Sequence, residues 1–155
     1  MSVPRIHWND LPQTVRRAVQ ECEGPVLKAE TATGGANSGI AATLYTATRT
    51  VFLKGIPSDH RQVYTQRREM DINPYVLTVA PRVLWQIEAD GWNLLGFEHV
   101  DGRHADFSPD SPDLPKIADL VQRLNQIPCP DLPLRSIKKR WIDYADEAAL
   151  ELNGA

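Results

Sequence analysis

Gly34-Gly35-Ala36-Asn37-Ser38-Gly39, then Thr50-Val51-Phe52-Leu53-Lys54, then Arg67-Arg68-Glu69: these three stretches, in this order, decide the reading of the chain. The first is a glycine-rich turn between two β-rich segments. Without side chains in the way, backbone N–H groups of such a turn can approach anionic oxygens closely. A plain hairpin turn has the same composition. The second stretch ends an apolar strand on a lysine, whose ammonium is partly desolvated unless an anion meets it. The third places Glu69 in the interior of the next helix, the only carboxylate there, since Asp71 lies close to the helix end. A surface-charge role fits it too, because Arg67 and Arg68 make the same helix generally charged.

Working outward, the elements fall into a simple order. Asn9 or Asp10 can cap a first helix, with Pro12 in its opening turn. Leu11, Val15, Ala18, Val19 and Cys22 recur at helical spacing before Gly24-Pro25 ends the run. Val26 to Thr33, Ile40 to Thr48 and Thr50 to Ile56 read as strands, the last two as an antiparallel hairpin. Ser58 or Asp59 caps a polar helix reaching about Ile72, which Asn73-Pro74 terminates. Arg82 to Ala89 and Trp92 to Val100 form a second hairpin across Asp90-Gly91, a strong turn signal. A proline- and aspartate-rich connector, Phe107 to Pro115, leads into a helix with Ile117, Leu120, Val121, Leu124 and Ile127 on one face. After Pro128 to Pro133, Ser136 caps a last helix in which Ile137, Trp141, Tyr144 and Ala148 line up. The expected class is α+β: a five-stranded antiparallel sheet with one packed helix, an N-terminal helix and two trailing helices.

Composition narrows the function. The chain of 155 residues, 42% hydrophobic, suffices for one ordinary core. Its 17 basic and 20 acidic side chains give a net charge of −3, which argues against a nucleic-acid partner. Cys22 and Cys129 are too few and too separated for a disulfide framework or a zinc site. Neither a signal peptide nor a long apolar stretch is visible, so a cytoplasmic protein without membrane contact is expected.

The glycine turn, Val51-Phe52-Leu53-Lys54, Arg67-Arg68-Glu69, Ala80-Pro81-Arg82-Val83-Leu84 and Leu94-Leu95-Gly96-Phe97-Glu98-His99-Val100-Asp101-Gly102 together resemble the amino-terminal lobe of the aminoglycoside phosphotransferase family, a branch of the protein-kinase-like fold. The resemblance covers residues 9 to 127. It implies a nucleotide-facing lobe over residues 1–106, followed by a linker and two helices over 107–155. It implies ATP or GTP with Mg2+ as cofactor, weakly bound. Gly34, Gly35, Ser38 and Gly39 would face the phosphates, and Lys54 would contact them while pairing with Glu69. Ala41 and Phe52 would roof the adenine, and Glu98 and Val100 would form the hinge that bonds its edge. Ala36 departs from the protein-kinase glycine spacing, where a second spaced glycine might stand.

Two further runs imitate kinase elements. His99-Val100-Asp101 looks like the start of a catalytic loop, but Asp106 stands where the metal-binding asparagine belongs. Asp106-Phe107-Ser108 looks like the magnesium-binding D-F-G motif, but follows too closely. Both are expected to be turns and linker. No catalytic or metal-binding residue is therefore assigned, and phosphoryl transfer by this chain alone is not expected. Three readings follow. One is a phosphotransferase lobe truncated before its catalytic loop. Another is a binding or regulatory module that docks a partner, a second copy or a separately encoded lobe through Ile137, Trp141 and Tyr144. A small unrelated α+β domain with accidental spacing is the third.

Overall fold

The computed structural model describes residues 4–34 and 38–132. Their architecture is α+β, as expected. Five strands, β1 (Val26–Thr31), β2 (Ile40–Thr46), β3 (Thr50–Pro57), β4 (Val83–Ala89) and β5 (Trp92–Glu98), form one antiparallel sheet in the order β1-β2-β3-β5-β4. Three helices accompany it: α1 (Gln13–Glu23), α2 (Val63–Ile72) and α3 (Leu114–Asn125).

The lysine-bearing strand β3 is the middle of the sheet, so its two faces are covered differently. Residues alternate between faces along a strand. Val51 and Leu53 point toward α1 and are fully buried with Ile40, Ala42, Leu44 and Leu94. Val15 and Val19 of α1, with Trp8 and Leu11 ahead of it, complete this core. Phe52, Lys54 and Ile56 point the other way, in register with Thr43 and Ala41 of β2 and with Phe97, Leu95 and Asn93 of β5. Ile56 and Leu95 are fully buried on that second face. Asn93, beside them, donates to Gln66 of α2 at 2.9 Å, which places α2 over this end of the sheet.

Two glycines on the α1 face exist for close approach. A Cβ on Gly55 would lie 2.2 Å from Leu94 Cδ2, and one on Gly96 would lie 2.2 Å from the Trp85 indole. The tight turn of the second hairpin has positive φ at both Asp90 (44°) and Gly91 (75°), the handedness that matches the twist of paired strands.

Some boundaries differ from the sequence reading. Helix α1 begins at Gln13, with Pro12 ahead of it as N-cap, because Asn9 and Asp10 are taken up in a 3-10 turn, Trp8–Asp10. There Asp10 Oδ2 accepts from the His7 N–H at 2.9 Å. Helix α2 begins at Val63, not after Ser58 or Asp59. Ser58 N is tied to the carbonyl of Gly91 at 2.7 Å, and successive turns through His60 fill the interval. Strands β1, β2 and β5 stop at Thr31, Thr46 and Glu98, each two residues short of expectation. Helix α3 forms where expected but ends at Asn125, so Ile127 lies beyond it; its Leu120, Val121 and Leu124 are exposed. The last helix, with Ile137, Trp141, Tyr144 and Ala148, lies outside the described residues, as does Gly35. Among the described residues no helix is long and apolar enough to cross a membrane.

Candidate functional site

The second face of the sheet is only partly covered by α2. Beyond the helix, Thr43, Phe52 and Phe97 floor an open cleft of about 710 Å³. Its walls are the end of β1 (Glu30) on one side and the segment after β5 (Val100, Arg103) on the other. The cleft thus lies between the segment from Glu30 to Gly34 and the linker after β5, with aromatic rings beneath it.

Lys54 stands one strand repeat from Phe52 on the same face, about 7 Å along the chain. Its Nζ donates to Glu69 Oε1 of α2 at 2.5 Å. The side chains are 26% and 36% exposed, so the pair is neither sealed in the core nor open to bulk water. The geometry follows from the sequence: β3 presents Lys54 to the face on which α2 packs. Glu69 then lies one helical turn, at i+3, beyond Gln66, the residue that anchors α2 to Asn93.

The remaining expected residues are placed as follows. Gly34 lines the cleft and is exposed. Ser38 and Gly39 are buried, and the Gly39 carbonyl accepts from Ile6 N at 2.8 Å. Ala41 pairs with Lys54 across the β2–β3 ladder and is buried. Phe52, Glu98 and Val100 line the cleft. Val100 is 67% exposed, while the Glu98 carboxylate accepts from Arg82 N at 2.9 Å and so ties β5 to the start of β4. Gly34, Phe52, Glu98 and Val100 thus share one cleft, with Lys54 and Ala41 on the same face of the sheet behind it.

The two kinase-like aspartate runs have local partners. Asp101 is fully exposed, and its Oδ1 lies 3.2 Å from His99 Nδ1. Asp106 Oδ1 accepts from Ser108 N at 2.9 Å, and that backbone bond holds its carboxyl below the ordinary aspartate range. Asp113, which drew no notice in the sequence, organises the whole linker. It holds Arg103 by two bonds of 2.6 and 3.1 Å and accepts from Asp106 N at 2.9 Å. The Arg103 guanidinium, first among these, keeps its carboxyl low. Among the described residues no three His, Cys, Asp or Glu side chains converge as an all-protein metal site would require.

Sequence reasoning also passed over Glu23. Its buried carboxylate accepts from Arg49 Nε at 2.7 Å and Nη2 at 2.5 Å, and from Trp85 Nε1. On the rim of the cleft, Glu30 accepts from Tyr45 Oη at 2.7 Å and pairs with Lys28 at 2.5 Å. Lys28, then Tyr45, lower the Glu30 carboxyl. A single acid in a helix end, strand or linker carries no periodic signal by which any of these could have been found.

No model of a known protein family matches this chain, and none of the curated proteins compared with it matches either.

Proposed function

We propose that this chain is a nucleotide-binding lobe of the kind that the aminoglycoside phosphotransferases carry at their amino terminus, binding ATP or GTP in the cleft over Phe52 and Phe97. The observation that carries the reading is the 2.5 Å bond from Lys54 to Glu69, made between the central strand and the helix that follows it, beside the cleft. In kinase folds a third-strand lysine reaches the phosphates and is held in place by a helix glutamate. In this chain Lys54 lies on the third strand and Glu69 on the helix that follows it, which supports the reading. An aromatic floor suits a flat base, and a lysine at the end of the floor suits the phosphates attached to it.

Binding, not turnover, is the proposed activity. Positioned carboxylates and metal supply most of the rate in phosphoryl transfer. The carboxylates of Asp106 and Asp113 are spent on the linker itself. Because the cleft is open, a bound nucleotide would stay half in water. Its dissociation constant is expected to be no tighter than the high micromolar range, about −5 to −6 kcal/mol. Calorimetric titration of ATP and GTP, with and without Mg2+, tests the reading. Saturable binding that weakens in Lys54→Ala supports it; no binding at millimolar nucleotide, or equal binding by both proteins, defeats it.

A further inference from the structure

We infer that the outer edge of β1 is a self-association surface, on which a second copy of this chain adds its own β1, antiparallel, across a two-fold axis at Ala29. The inference is independent of the proposed nucleotide site.

The sheet ends in β1 on one side and in β4 on the other. Along β1 the backbone groups alternate between the neighbouring strand and the free edge. Ala32 N donates to the Ala41 carbonyl at 2.9 Å, so by alternation Glu30 and Lys28 also turn their N–H and carbonyl groups toward β2. Ala29 and Thr31 therefore present theirs outward. Among the described residues no backbone bond from outside the β1–β2 ladder reaches them. Consecutive residues Val26 to Ala29, whose side chains alternate between the two faces, line one groove of about 370 Å³ with His7 and Asn9. A groove that touches both faces follows the edge of the strand, so this edge is open. The edge of β4 is closed at its start, where Asn73 Oδ1 accepts from Val83 N at 2.8 Å and Asn73 Nδ2 donates to the Pro81 carbonyl at 2.8 Å.

Charge selects the occupant. Exposed edges are commonly blunted by a proline or by an edge lysine. Strand β1 has no proline, and its one lysine, Lys28, is followed two residues on by Glu30. The two side chains are 64% and 49% exposed and pair with each other at 2.5 Å. An antiparallel pair centred on Ala29 sets Lys28 of each copy directly opposite Glu30 of the other. The same pair centred on Lys28 or on Glu30 would set like charges opposite each other, which destabilises a sheet. The strand is thus complementary to its own copy, and in one register. There Ala29 exchanges both backbone bonds with Ala29 of the second copy, and the exposed Leu27 comes opposite Thr31. The product is a sheet continuous through both copies, with both clefts on one face.

Sedimentation velocity of the full-length chain over a concentration series tests the register through charge swaps. The wild type is expected to dimerise as concentration rises. Lys28→Glu and Glu30→Lys should each weaken the dimer about tenfold, because each swap is met twice across the two-fold. Mixed in equal amounts, the two variants should associate with each other, since every acid then faces a base. The double variant Lys28→Glu/Glu30→Lys should dimerise like the wild type. The mixture needs only the single variants, and carries the test if the double variant does not fold. A wild type that stays monomeric up to about 1 mM overturns the inference and leaves the edge to an extended segment of another protein. A dimer that survives both single swaps and gains nothing from mixing places the interface elsewhere on the chain, and overturns it as well.

Discussion

Lys54 and Glu69 are joined at 2.5 Å across the gap between the middle strand and α2, fifteen residues apart in sequence. The bond links the sheet to the helix that caps half of its open face. Removing either partner should loosen α2 as well as the proposed phosphate contact. Because both side chains retain some solvent, Lys54→Met is expected to cost only about 1 kcal/mol in urea unfolding. Glu69→Gln should cost no more, yet weaken ATP binding by letting Lys54 wander. Wild-type affinity in Glu69→Gln would mean that the pair fastens the helix and does nothing for a ligand.

Gly96 is packed face-on by the indole of Trp85 in the neighbouring strand, so no side chain fits there. Gly96→Ala should destabilise the protein by about 1–3 kcal/mol, as overpacking of a rigid core does. Trp85 must tilt to accommodate the methyl group, and its fluorescence spectrum should shift in the folded state. A variant as stable as wild type with an unchanged spectrum would show the contact to be looser than the structure has it.

The alternation of apolar residues and the Asp90-Gly91 turn made the five strands legible, because a two-residue turn with φ positive at both positions is a local property. The sheet order was not legible. Pairing β3 with β5 sets Val51 against Glu98, a contact between distant segments that no short window contains. The start of α2 misled for a related reason: Ser58 and Asp59 have the chemistry of a cap, but Ser58 N is already held by Gly91 of the distant hairpin. In the candidate site, Lys54 and Glu69 could be read because a lysine ending an apolar strand and a glutamate inside the next helix are local features, and the family resemblance supplied their pairing. Glu23 and Asp113 could not, since each acts through partners brought near only by the fold.

Asp113 should make the linker acid-sensitive. Its carboxyl is lowered by Arg103 and by the N–H of Asp106, so it favours the charged form in the folded chain. A group lowered on folding contributes stability above its unfolded value, about pH 4, and loses that contribution as pH falls through the lower folded value. Acidification below about pH 4 should therefore release residues 103–113, while Asp113→Asn should have them already released at pH 7. Amide exchange of this segment as a function of pH checks it. Protection that is equal in the two proteins at pH 7 would show that Asp113 does not hold the linker.

Glu23 and Arg49 give the sharpest asymmetry. The carboxylate sits at the C-terminal end of α1, where the helix dipole disfavours a negative charge, and its side chain is 1% exposed. Arg49 is 46% exposed and can regain water if it loses its partner; Glu23 cannot. Glu23→Gln keeps an oxygen for the Trp85 N–H and frees Arg49 into solvent, so it should cost about 1 kcal/mol. Arg49→Met leaves a buried carboxylate with only an indole donor, and should cost about 3 kcal/mol, the scale of a buried pair broken from one side. The double variant Glu23→Gln/Arg49→Met removes the stranded charge and should recover most of that loss. Urea unfolding of the four proteins measures the cycle. Additive losses in the double variant would show that Arg49 is held by something other than the Glu23 charge.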